Sequence, residues 1–167
     1  MSTLNFAPPS LPVSKQLQTL LSQYCQNFFS SEETKATSPT VTINFRDKSY
    51  SAEEGGYHPV EISLNIKEDY TLDILYITDF AYMGNYYPEL ERCIDFDFGN
   101  QVVFTVATGW QSIRSEGIDE LYKMWEQNFL YYVNLNASTT SSLPTNPYLS
   151  SQTSTCCFAS SLCSCFT

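Results

Sequence analysis

Two stripes of apolar residues at helical spacing bracket a long stretch that alternates with a period of two, and nothing helical interrupts that stretch. At the front, Val13, Leu17, Leu20, Leu21, Tyr24, Cys25, Phe28 and Phe29 recur at intervals of three and four, which predicts an amphipathic helix over 13–29 with Ser14 placed to cap it. At the back, Ile118, Leu121, Tyr122, Trp125, Phe129, Tyr132 and Val133 form a second, unusually aromatic stripe, with Asp119 and Glu120 set to favour the N-terminal dipole. Parallel strands need a crossover, usually helical, between each pair, and this chain has none to offer. The pattern therefore predicts an α+β fold: an antiparallel meander of about five strands with the N-terminal and C-terminal helices packed on one face.

Val41, Ile43 and Phe45 alternate with Thr42, Asn44 and Arg46, and Val60, Ile62, Leu64 and Ile66 alternate with Glu61, Ser63, Asn65 and Lys67. Both read as half-buried strands. The run 71–82 is apolar on both parities, the pattern of a central strand covered on both sides. Ile94, Phe96 and Phe98 alternate with Asp95 and Asp97, and Gly99-Asn100 before 102–107 suggests a hairpin. Residues 1–12, with Pro8, Pro9 and Pro12, form an irregular lead-in, and 30–39 a polar linker.

Charge sets the far boundary. Glu126 is the last side chain of the acidic or basic types, and 136–167 holds 15 Ser or Thr in 32 residues without sustained periodicity. The expected organisation is a single domain over 13–135, followed by a disordered Ser/Thr/Cys-rich tail over 136–167.

With 18 acidic and 8 basic side chains the net charge is −10 and the pI near 4.3, which argues against nucleic acid and against anionic membranes, since both are bound by cations. No apolar run approaches the length of a membrane helix, and the first ten residues lack the basic and apolar regions of a signal peptide, so a cytoplasmic protein with reduced thiols is expected.

Four quoted segments carry a resemblance: Glu54-Gly-Gly-Tyr-His-Pro-Val-Glu-Ile62, Tyr76-Ile-Thr-Asp-Phe-Ala-Tyr82, Leu90-Glu-Arg-Cys-Ile-Asp-Phe-Asp-Phe98 and Glu120-Leu-Tyr-Lys-Met-Trp-Glu-Gln-Asn-Phe129. Over about 13–135 the chain resembles a small bacterial domain family of unknown function. That resemblance implies a bacterial, cytoplasmic, single-domain protein; it brings no activity, cofactor or catalytic residue.

The residues themselves offer a few candidate sites. His58, the sole histidine, is a candidate general base oriented by Glu61, or a metal ligand beside Glu53 or Glu54; the plainer reading is a loop histidine before Pro59. Asp95 and Asp97 share one strand face, and Asp79 or Asp73 on a neighbouring strand would complete a carboxylate cluster for Mg²⁺ or Ca²⁺, or an acid/base pair. The plainer reading turns those aspartates into water. Gly55-Gly56 reads as a turn rather than a phosphate cradle. Cys156, Cys157, Cys163 and Cys165 lack the CxxC pairing and nearby histidine of a zinc site. No metal and no cofactor is expected on these grounds.

Tyr and Trp carry more weight, being favoured at interfaces for their apolar bodies and polar tips. Tyr82, Tyr86, Tyr87 and Trp110 are the candidate contact residues, with Tyr82-Met-Gly-Asn-Tyr-Tyr87 as the exposed patch; packing of two helices on a sheet is the competing use of such aromatics. The leading function is thus a small acidic, non-catalytic protein-interaction module, binding a protein partner or a second copy of itself. A metal-dependent hydrolase built on His58, Glu61 and the aspartates is the alternative, and an acidic decoy that mimics DNA a further one.

Overall fold

The computed structural model describes residues 4–29 and 40–139, together with the backbone of a short strand at 154–158. Helix α1 spans Lys15–Phe29, strands β1 to β6 span Thr40–Phe45, Val60–Ile66, Leu72–Met83, Glu89–Asp97, Val102–Thr105 and Gly109–Ser112, and helix α2 spans Ile118–Thr139. The strands β1 to β6 pair with their sequence neighbours, always antiparallel. A further strand, β7 (Ser154–Phe158), runs parallel to β1 at the sheet edge, so the order is β6-β5-β4-β3-β2-β1-β7. The rest of the Ser/Thr/Cys-rich stretch after Thr139, and the polar linker expected over 30–39, lie outside the described residues.

The meander therefore has six strands where the alternation predicts about five. The added one is β6, four residues with no fully buried side chain, turned back on β5 at Gly109, whose φ of 68° favours glycine. It has no apolar stripe to reveal it.

Both helices lie on one face, as the order of elements requires. Ser14 caps α1, its Oγ accepting the Leu17 N–H at 3.1 Å, and Leu17, Leu21 and Cys25 bury one stripe completely. Phe45 of β1 takes Tyr24 of α1 edge-on at 5.3 Å and Phe129 of α2 at 5.0 Å, which joins the two helices through the sheet. On α2, Tyr122 and Trp125 lean on Phe96 of β4 at 5.1 and 5.6 Å. The lead-in is irregular yet docked: Leu11 is buried, and Phe6 bridges Leu72, with the Ala7 N–H donating to the Leu72 carbonyl at 2.9 Å.

Two bulges set which side chain faces which way. Between Ser63 and Leu64 of β2 the pairing jumps from Tyr76 to Ile74, leaving Leu75 as the extra residue of β3. Leu72 and Ile74 before the bulge, and Ile77 after it, consequently share the helix-covered face although they differ in parity, and all three are buried. The apolar run on both parities is thus one alternation with a phase slip at Leu75, and the opposite face is covered as expected: Thr78 of β3 is buried, as are Ser63 and Asp95 beside it. The second bulge lies between Asp79 and Phe80, which pair with Ile94 and Arg92 and leave Cys93 as the extra residue of β4. Residues three apart on a regular strand face opposite ways. Arg92 and Asp95 nevertheless form an ion pair at 3.3 Å, because the bulge absorbs one residue between them.

One polar contact ties the helices to each other. Glu126, buried in α2, accepts the Ser14 N–H through both oxygens at 3.2 Å, and accepts the Tyr122 hydroxyl at 2.7 Å. A carboxylate so placed meets an otherwise orphaned donor at the start of α1 and the positive end of its dipole. Glu126→Ala is expected to cost about 3 kcal/mol in urea unfolding, since one buried and one half-buried donor lose a charged acceptor, and Tyr122→Phe about 1 kcal/mol, since Glu126 keeps Ser14. Equal losses from the two substitutions would contradict this division.

Candidate functional site

The loop from β1 to β2 doubles back before it enters the sheet. Ser51 bridges Gly55, and Gly56 has a φ of 129° with a hypothetical Cβ only 3.2 Å from the Tyr50 Cα, so the turn expected at Gly55-Gly56 is one that glycine alone fits without strain. The turn delivers His58 just before Val60, which pairs with Asp79 of β3. His58 Nδ1 sits 2.7 Å from Asp79 Oδ1, and the Tyr50 ring lies 5.5 Å from the imidazole. Tyr50 also stacks on Tyr82 at 5.2 Å, and its hydroxyl oxygen accepts the Tyr82 N–H at 3.0 Å.

Asp79 is buried, and its other oxygen, Oδ2, accepts the Trp125 indole N–H at 3.0 Å. Cys93, the extra residue of the β4 bulge, completes the group: one ligand atom from each of His58, Asp79 and Cys93 falls within 4.8 Å of the other two. The hydrogen bond to Asp79 raises the His58 pKa above 6.5, outweighing the opposing effect of partial burial. Burial pushes the Cys93 thiol up, and the Asp79 charge adds to it.

Glu61 does not orient His58, as the sequence suggested, because adjacent residues of β2 face opposite sides of the sheet. It accepts instead the Tyr76 hydroxyl at 2.7 Å, and burial together with this carboxylate pushes the Tyr76 pKa up to about 12. The carboxylate cluster of Asp79, Asp95 and Asp97 is likewise not assembled. Asp79 faces the helices and meets Trp125, whereas Asp95 meets Thr78 at 3.2 Å and Arg92 at 3.3 Å on the other face. Asp95 is not turned into water either: it is 6% exposed, and burial raises its pKa despite the nearby arginine. Asp97 closes the hairpin at Gly99-Asn100, accepting the Asn100 backbone and side-chain N–H groups at 2.8 Å each. Asp73 pairs with Lys67 at 2.9 Å, and Glu53 and Glu54 are exposed. The side chains of Cys156, Cys157, Cys163 and Cys165 lie outside the described residues.

The face away from the helices is polar across its width. Thr42 bonds Ser63 at 3.4 Å, Tyr76 bonds Glu61, and Thr78 bonds Asp95. At the β6 edge Arg92 lies over the rings of Phe104 and Trp110, 5.9 and 5.2 Å from their centroids. Trp110 stays half open at 53%. At the far end, the β3–β4 hairpin runs beyond the core: Tyr82 and Leu90 are about two-fifths exposed, and Tyr86 and Tyr87 reach 92% and 88%.

The model of a protein family of unknown function, DUF2787, matches residues 14–140. The chain belongs to that family. Two solved structures of similar sequence come from Vibrio cholerae. The hypothetical protein VC0508 of the VSP-II pathogenicity island is 48% identical, with a TM-score of 0.68 over 80% of this chain and 94% of that one. The conserved hypothetical protein VC1805 of pathogenicity island VPI-2 is 46% identical, with a TM-score of 0.68 over 79% and 94% of the two chains, and is described as sharing structural homology with the human P32 protein. No curated protein matches the sequence. No helix among the described residues is long and apolar enough to cross a membrane. Membership in DUF2787 agrees with the bacterial resemblance over 13–135 and brings no assigned chemistry with it.

Sequence reasoning missed Cys93, Trp125 and Arg92 as members of these clusters. Asp79, flanked by Ile77 and Phe80 in the apolar run 72–81, was the available signal, since a buried carboxylate requires donors.

The His58–Asp79 contact has a fixed sign with pH. An imidazole whose pKa is raised on folding stabilises the fold fully below 6.5, the value of the free side chain, and loses that contribution as pH climbs through the folded-state value. The single imidazole resonance, followed by NMR in EDTA, is expected to titrate above 6.5, and the stability gap between wild type and His58→Gln to narrow on passing to higher pH. A midpoint at or below 6.5 would show that burial outweighs Asp79. For Asp95 burial dominates, so Asp95→Asn is expected to hold or raise stability at neutral pH; a loss beyond about 1 kcal/mol in urea would reverse that reading.

Proposed function

We propose that this chain is a small acidic, non-catalytic protein-interaction module whose contact surface is the tip of the β3–β4 hairpin. The observation that carries the reading is the pair Tyr86 and Tyr87, adjacent on the tip and 92% and 88% exposed. Large aromatic rings left almost wholly in water gain most by being covered, and tyrosine adds a hydroxyl able to bond across an interface. Leu90 and Tyr82 extend the apolar surface down the hairpin, with Glu89 and Glu91 beside them. That mixture, on a chain of net charge −10, suits a partner with an apolar cleft and a basic rim.

The positions of the candidate catalytic groups support the same reading. Glu61, Asp95 and Asp97 each hold a structural partner within 3.3 Å, and they lie on the face opposite Asp79. Each of the three anchors a neighbouring side chain or turn, so they do not converge with Asp79 on one reacting centre.

The test is a double substitution that leaves the core untouched. Tyr86→Ala with Tyr87→Ala is expected to abolish self-association, read by light scattering after size-exclusion, or the capture of a partner cross-linked through the hairpin, with the melting temperature unchanged. A wild-type chain that is strictly monomeric and gains no hairpin cross-link in bacterial lysate would overturn the proposal.

A further inference from the structure

The group at the base of the sheet, away from the polar carboxylate face, has the composition of a metal site. It offers one imidazole nitrogen, one carboxylate oxygen and one sulfur, all within 4.8 Å of one another. Three features make it more than a chance cluster. Asp79 is held from behind by the Trp125 N–H at 3.0 Å, so its second oxygen is fixed while Oδ1 faces His58, the arrangement by which outer partners orient a metal-binding carboxylate. Cys93 is the residue that the β4 ladder leaves unpaired, and bulges re-aim a side chain in this way beside functional sites. The His58 side chain is 42% exposed against 11% for Asp79, which gives a buried anion one open approach from solvent.

We propose that His58, Asp79 and Cys93 bind a borderline-soft divalent cation, Zn²⁺ first among them, with the fourth position open to water. Nitrogen and sulfur donors select against Mg²⁺ and Ca²⁺, which take oxygen. Zinc bonds of about 2.0–2.3 Å at tetrahedral angles put neighbouring donor atoms about 3.3–3.6 Å apart. The His58–Asp79 pair, at 2.7 Å, opens by less than an ångström as the cation takes the place of the shared proton, and Cys93 closes in. The thiol and the imidazole release their protons to solvent as the cation enters, so the product carries a thiolate and a neutral imidazole. Without the cation the thiol stays protonated, because burial and the Asp79 charge both oppose ionisation, and this disfavours Cys93 as a free nucleophile.

The proposal does not rest on Tyr86 and Tyr87, and its test reads binding alone. Co²⁺ is added to the full-length chain carrying Cys156, Cys157, Cys163 and Cys165 all as serine, so that the remaining thiols are Cys25, buried in α1, and Cys93. The expected result is a thiolate-to-cobalt charge-transfer band that saturates at one equivalent and is displaced by Zn²⁺. Cys93→Ser should abolish the band. His58→Ala, an exposed position that leaves the fold intact by circular dichroism, should weaken cobalt binding by about tenfold or more. Absence of the band, its persistence in Cys93→Ser, or unchanged affinity in His58→Ala would each overturn the proposal.

Discussion

A buried carboxylate at residue 79 holds together three parts of the chain that are far apart in sequence. Asp79 is 8% exposed and would be costly to bury alone. Its two oxygens are shared between His58, at the end of the β1–β2 loop, and Trp125, in the middle of α2. The loop, the central strand and the second helix are thus fixed by one side chain. Trp125 in turn stacks on Phe129 at 5.3 Å and leans on Phe96, so the indole is positioned by packing before it donates. Hydrogen bonding at this point depends on the aromatic core, and the core's alignment with β3 depends on the hydrogen bond.

The division of the sheet into two chemistries follows from the same strand. Ile77 and Asp79 face the helices, while Tyr76 and Thr78 face the other way, toward Glu61 and Asp95. The helix side is mainly apolar, with its polar contacts gathered at Asp79 and at Glu126; the other side bonds hydroxyl to carboxylate across three strands. Every buried side-chain nitrogen or oxygen among the described residues has a partner, which is what allows so many polar groups to sit inside a small domain.

Much of this was readable from residues alone, and the remainder was not for identifiable reasons. The stripes at Leu17, Leu21 and Cys25, and at Tyr122, Trp125 and Phe129, are long and periodic, and β1 and β2 alternate without interruption, so their existence and antiparallel arrangement follow from spacing. Strand β6 carries no buried apolar side chain and leaves no such trace. The bulges were the deeper obstacle. Leu75 and Cys93 each shift the phase of a strand by one, so parity counted along the sequence made Asp79 and Asp73 equal alternatives to join Asp95 and Asp97, whereas the folded strands place Asp79 on the face opposite those two. The exposed tyrosines at 86 and 87 were legible because a Gly-Asn turn needs no phase to be recognised.

The bulge at Cys93 also bears on how this chain tolerates length changes. Deleting residue 93 alone would leave Arg92 opposite Phe80 and Ile94 opposite Asp79, the neighbours they already have, and would make the ladder regular. Most single-residue deletions inside a strand invert every side chain beyond them. On the β5 side the Cys93 carbonyl accepts the Val106 N–H at 3.2 Å, so loss of the residue would remove one hydrogen bond and one sulfur atom while keeping the β3–β4 alignment. The position is therefore a natural point at which chains of equal fold can differ in length by one residue and in chemistry by one thiol.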